Sequence, residues 1–93
     1  MNIKVLKKTE TELKLEVEGA GHTLCNLLQK KLLEDEDVDL AGYDIPHPLA
    51  SSPIIYVRTK GGKTPEEALL KAVDNLLEIN EKFGKELEKA LKT

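Results

Sequence analysis

"RTKGGKTPEEALLKAVDNLL", residues 58–77, admits two readings, and the choice between them decides the fold. Its "GGKT" ends as a phosphate-binding loop ends, where a β-like run gives way to a helical one. Such a loop needs a second glycine upstream, with four residues between the two glycines, so that backbone N–H groups can wrap the phosphates. Here that upstream position is Val57, inside the apolar run. Pro65 also removes an N–H from the helix start, where an anion would want one. A capping reading accounts for the same residues. Thr64 stands at the N-cap, Pro65 suits the first helical position and Glu67 at N3 completes a capping box. Gly61 and Gly62 turn the chain out of the strand, leaving Lys60 and Lys63 as ordinary loop charges. The stretch predicts the entrance to a helix and no nucleotide site.

From Pro65 to about Leu91 only Gly84 weakens the helical pattern, by about 1 kcal/mol relative to alanine. Glu67–Lys71, Glu78–Lys82 and Glu81–Lys85 are i,i+4 pairs in the favourable orientation. Roughly 27 residues at a rise of about 1.5 Å give a rod of about 40 Å. A compact chain of this length is only about 30 Å across, so the helix should overhang its own domain. Its first half is apolar over a face too broad for one contact. The second half narrows to a seam. Leu69, Val73, Leu76, Asn80, Phe83, Leu87 and Ala90 follow in steps of three and four, as heptad core positions do.

Upstream, "NIKVL" (2–6) and "TELKLEV" (11–17) alternate apolar and polar residues, with "KKTE" as a turn between two antiparallel strands. Leu13, Leu15 and Val17 share one face. After "GAG" (19–21), Leu24, Leu27, Leu28 and Leu32 fall at helical spacing over about residues 24–34, with Thr23 expected as the cap. The acidic "EDED" (34–37) then lies at a helix C-terminus, disfavoured there by about 0.3–1 kcal/mol per charge. It reads as a solvated loop, the alternative being a docking patch for a basic partner. "VDLAGY" (38–43) and "IIYVRT" (54–59) are strand-like, and the three prolines of "DIPHPLASSP" between them argue for a stiff, extended connection. The expectation is a single α+β domain over 1–93 in β-β-α-β-β-α order. An antiparallel sheet of about four strands would be covered by two helices, the C-terminal one long. Two leucine-rich helices on so small a sheet suggest a surface completed by another chain. Its expected residues are Leu24, Leu27, Leu28, Leu32, Leu69, Val73, Leu76, Asn80, Phe83 and Leu87.

Composition narrows the function. The net charge is −3, with thirteen lysines and one arginine, Arg58, so no basic field or set of arginine forks reads DNA. Tyr43, Tyr56 and Phe83 are too few aromatics for a base-stacking platform. No apolar run approaches the roughly 18 residues of a membrane span, and no leader pattern opens the chain, so a soluble, cytoplasmic protein is expected. The single Cys25 excludes an internal disulfide. His22, Cys25 and His47 are the only soft metal ligands, short of the four of a structural zinc site. Cys25 lacks an evident base and orienting group, and reads as a small buried thiol. No carboxylate pair stands out as an acid/base couple. Neither a catalytic residue, a metal nor a cofactor is expected. A homodimeric interaction module, or a metal or thiol protein using His22, Cys25 and His47, remains the alternative.

Two segments, "GHTLCNLLQKKLL" (21–33) and "AGYDIPHPL" (41–49), followed by a strand and a long final helix, together resemble a known family. It is that of the small alpha-like assembly subunits of RNA polymerase, represented in archaea by subunit L. In eukaryotes its counterpart is the smaller partner of the alpha-like heterodimers, and the bacterial alpha N-terminal domain is a more distant relative. His22, Thr23, Leu24, Asn26, Leu27 and Leu28 match the helix signature; Ala41, Gly42, Tyr43, His47, Pro48 and Leu49 match the central motif. One position departs: the family usually has glycine where this chain has Cys25, whose added Cβ and thiol would alter tight packing there. The resemblance implies no intrinsic active site. It implies an obligate heterodimer with a larger alpha-like subunit, D in archaea. That pair, with small subunits N and P, would form the platform for the large catalytic subunits, without sequence-specific nucleic-acid contact of its own.

Overall fold

The computed structural model describes residues 2–44 and 52–92. Its elements run β1 (Asn2–Lys8), β2 (Glu12–Glu18), α1 (His22–Leu33), β3 (Val38–Asp44), β4 (Ile54–Thr59) and α2 (Pro65–Lys92). The α+β architecture and element order are those expected. All pairings are antiparallel, in the order β1-β2-β4-β3, so the last strand inserts between the second and third. Both helices lie on one face: α1 covers β3 and packs on α2, and α2 crosses β4 and β2.

Alternation does what the strand pattern requires. Leu13, Leu15 and Val17 of β2 and Ile55 and Val57 of β4 point into the core, joined by Val38 and Ala41 of β3. The first strand runs two residues further than expected, so Lys7 and Lys8 belong to β1 rather than to the turn. Thr9 makes that turn instead, its Oγ1 accepting from the N–H groups of Thr11 (3.3 Å) and Glu12 (2.9 Å). Gly19 (φ 90°) and Gly61 (φ 112°) occupy left-handed turns that a side chain would strain.

The helix starts differ from each other in mechanism. At α2, Thr64 Oγ1 accepts from the Glu67 N–H at 3.2 Å and Pro65 is buried at the first position, as the capping reading requires. At α1 the expected cap, Thr23, is incorrect. Gly21 is the N-cap with extended backbone, no side chain caps it, and Thr23 lies inside the first turn. The backbone alone closes that turn, the Cys25 N–H donating to the Gly21 carbonyl at 3.2 Å.

Lys63 is not an ordinary loop charge, and "EDED" is not simply solvated. Lys63 Nζ lies 2.9 Å from Asp35 Oδ2 and 3.6 Å from Asp37 Oδ2, tying the α1–β3 turn to the entrance of α2. Asp35 is mostly buried and also accepts from the Asp37 N–H at 2.9 Å. A lysine committed to two carboxylates has no free charge for a phosphate. The Lys63 hydrogen bond, aided by the Asp37 N–H, holds the Asp35 carboxyl below its ordinary range, and Asp35 in turn raises Lys63. A lowered carboxylate pKa stabilises the fold above the unfolded value, about 3.9, and that contribution is lost as pH falls through the folded value. Asp35→Asn is therefore expected to lower the melting temperature at pH 7 and to flatten its fall as pH drops below about 4. A wild-type acid slope in this variant, followed by thermal melts across pH, would show the clamp to be energetically idle.

The long helix overhangs as its length demands. Its 28 residues span about 42 Å, and the chain measures 50 × 37 × 17 Å. The radius of gyration is 15.1 Å, against about 12 Å for a compact chain of this size. No helix among the described residues is long and apolar enough to cross a membrane.

Candidate interaction surface

The second helix buries only small residues and exposes most of its large ones, while α1 buries one stripe and exposes another. From α2 only Pro65, Ala68 and Ala72 are buried, and these slim side chains let the rod lie close to the sheet. From α1 the buried stripe is Cys25, Leu28 and Leu32. Leu24 and Leu27 are turned outward on α1, and Leu70, Leu77, Ile79, Phe83, Leu87 and Leu91 on α2. Leu69, Val73 and Leu76 lie between, packed against the rim of the core.

Leu24 and Leu27 with Leu69, Val73, Leu76, Leu77, Ile79 and Phe83 border an open apolar groove of about 610 Å³, which Leu70, Leu87 and Leu91 do not line. Leu24, Leu27 and Leu28 form one wall, and Leu69, Val73, Leu76, Asn80 and Phe83 the other. The floor is the helix-side face of the sheet: Leu15, Val17, Ile55 and Ile3. Ile3 pairs with Val17 and Val5 with Leu15, so both face the helices, yet neither is covered and both remain exposed. Asn80 is the one polar residue among those bordering the groove. An exposed groove lined almost wholly by apolar side chains is a candidate contact surface.

Of the ten residues expected at a partner surface, Leu24, Leu27, Leu28, Leu69, Val73, Leu76, Asn80 and Phe83 line the groove, while Leu32 and Leu87 do not. Leu32 is only 1% exposed and belongs to the chain's own core, a correction that follows from the phase of α1. Leu28, at 7% exposed, offers a partner only a floor contact. Leu87 lies on the overhanging rod beyond the groove, still exposed.

Among the described residues, the thiol and imidazole reading can be followed only at His22 and Cys25. Cys25 faces the core at 1% exposure, and burial pushes its thiol pKa up, away from nucleophilic character. His22 is exposed, its ring edge-on to Tyr43 at 6.1 Å. Among the described residues no group of three or more His, Cys, Asp or Glu side chains could hold a metal ion. His47, Pro48 and Leu49 lie outside the described residues. Of the rest of the central motif, Ala41 is buried against α1, while Gly42 and Tyr43 are half-buried in β3. Thr23 and Asn26 are exposed on α1. Because Cys25 packs inward, its departure from glycine acts on the α1–sheet packing and not on the open face.

Comparison with known proteins converges on one assignment. Residues 12–86 match the family model of the RNA polymerase Rpb3/Rpb11 dimerisation domain. DNA-directed RNA polymerase subunit Rpo11 of Methanothrix thermoacetophila is 42% identical over 92 residues, covering 99% of this chain and 100% of that protein. The Archaeoglobus fulgidus subunit of the same name is 44% identical over 77 residues, 83% of this chain and 88% of the relative. The crystal structure of DNA-directed RNA polymerase subunit L from Thermoplasma acidophilum superposes with a TM-score of 0.86 at 34% identity, covering 98% of this chain and 89% of that one. With its β-β-α-β-β-α order and its uncovered helical face, this chain belongs to the Rpb3/Rpb11 dimerisation-domain family of RNA polymerase subunits.

Proposed function

We propose that this chain is a non-catalytic assembly subunit of a cytoplasmic DNA-directed RNA polymerase, pairing through its groove with the larger alpha-like subunit, D in archaea. The observation that carries this is the groove itself: large apolar side chains of two helices left open beside a sheet strand that no helix covers, in a chain of a dimerisation family. Obligate interfaces are typically core-like and bury more than about 2,000 Å². A second alpha-like domain laid across both helices could supply such an area. Leu24, Leu27, Leu69, Val73, Leu76, Asn80, Phe83 and Leu87 are the contact residues on this reading, with Leu28 at the floor. The pair, joined by small subunits N and P, would then present a platform to the large catalytic subunits, which carry the nucleotidyl-transfer chemistry. Its net charge of −3 suits a subunit that does not grip nucleic acid.

Co-expression with the larger subunit tests the pairing. A one-to-one complex that survives dilution to nanomolar concentration is the expected result. A chain that elutes as a stable monomer in the presence of that subunit would refute the proposal.

A further inference from the structure

A glycine stands in the overhanging half of α2 where no feature of the chain requires one. Gly84 has no left-handed backbone conformation, and a Cβ built there would meet nothing within 4 Å. Glycine is among the least favourable residues for an exposed helix interior, because it loses the most backbone freedom. The chain's own fold would be better served by alanine.

Its neighbours on the helix surface supply a reason. Leu77, Asn80, Gly84, Leu87 and Leu91 follow in alternating steps of three and four, the spacing of a helix–helix contact seam. Leu77 is 61% and Leu91 78% exposed, so exposed leucines flank a bare stretch of backbone on a stripe whose one polar member is Asn80. The stripe continues directly from the groove through Leu77 and Asn80. The match to the dimerisation family also runs past this point, to residue 86.

We propose that Gly84 is the crossing point for a helix of the larger alpha-like partner, which approaches α2 most closely where the Cβ is missing. The inference rests on the pairing proposed above and adds its site of closest approach. Helices separated by less than the usual 8–10 Å or so need a small residue at the contact, and glycine permits the tightest approach. The missing side chain thus weakens the free rod and fits the partner.

The two effects of Gly84→Ala should then have opposite signs. The free variant chain should melt above the wild type, since alanine favours the helix. Its complex with the larger subunit should weaken by about tenfold, and that of Gly84→Leu by more, from overpacking at the crossing. Exchange of each bound chain against fluorescently labelled wild-type chain measures this, with Glu86→Ala, off the stripe, as the control expected to exchange at the wild-type rate. A Gly84→Ala complex as durable as the wild type, or more so, would overturn the crossing, as would a free variant less stable than wild type. If the wild-type chain itself fails to pair, the pairing falls and the crossing with it; if it pairs and Gly84→Ala pairs equally, only the crossing falls.

Discussion

Phe83→Asp is expected to abolish pairing with the larger subunit while leaving the chain folded. The phenyl ring is 65% exposed and borders the groove from the overhanging part of α2, beyond the residues that pack against the core. Its removal should therefore change the chain's own melting temperature little, since exposed positions usually shift stability by less than about 0.5 kcal/mol. In a complex the same position would bring a carboxylate without a partner into an apolar contact. Central aromatic anchors carry about 2–4 kcal/mol of binding, and burying an unpaired charge adds to the loss, so affinity should fall by at least about 30- to 1,000-fold. Leu27→Asp, on the opposite wall, should behave alike. Leu28→Asp would be a poor substitute, because that side chain is only 7% exposed and the charge would strike the fold as well as the pairing. Circular dichroism with a thermal melt, beside size-exclusion of the co-expressed pair, separates the two outcomes. Co-elution of Phe83→Asp at wild-type yield would mean that the groove is not the interface.

What was legible in the residues, and what was not, follows from the range of the interactions involved. The limits of β4 and the entrance of α2 depend on neighbours in sequence: alternation over Ile54–Thr59, and a threonine, a proline and a glutamate at fixed spacing. Both were readable. The overhang needed only a residue count and a rise. The phase of α1 yielded only in part: Cys25 was readable as a buried thiol, but leucines surround much of that helix, and which of them share its inward stripe was not. An inversion operates on α2, where Ala68 and Ala72 win the core because close approach to the sheet favours small side chains, and the leucines are displaced to the groove. The Asp35–Lys63 clamp joins residues 28 apart, and nothing in either segment alone signals the other. Thr23 was the chemically plausible cap, but the helix starts earlier, from the extended backbone of Gly21 with no side chain capping it. The open face was legible as an excess of leucine, but its borders required the sheet to be placed, since Ile3 and Val5 join it only because β1 is left exposed.

The misassigned leucine on α1 provides the sharpest test of this core. Leu32→Ala is expected to destabilise the free chain by about 2–5 kcal/mol, through lost burial and the cavity left behind. Leu32 is 1% exposed and belongs to the same cluster as Val57, which is 0% exposed, and Cys25. It thus sits where the helix meets the sheet, with little room for neighbours to collapse. A chain of 93 residues has about 5–14 kcal/mol of stability in all, so this one truncation would remove a substantial share of it. Its neighbour Leu33, 54% exposed, should tolerate alanine within about 0.5 kcal/mol. Urea titration of the free chain distinguishes them: the midpoint should drop sharply for Leu32→Ala and hardly move for Leu33→Ala, with similar slopes in both. Were Leu32→Ala instead to leave the midpoint in place and weaken only the complex, α1 would have to be rotated about its axis. The buried stripe would then pass to other residues, and the groove would have a different wall.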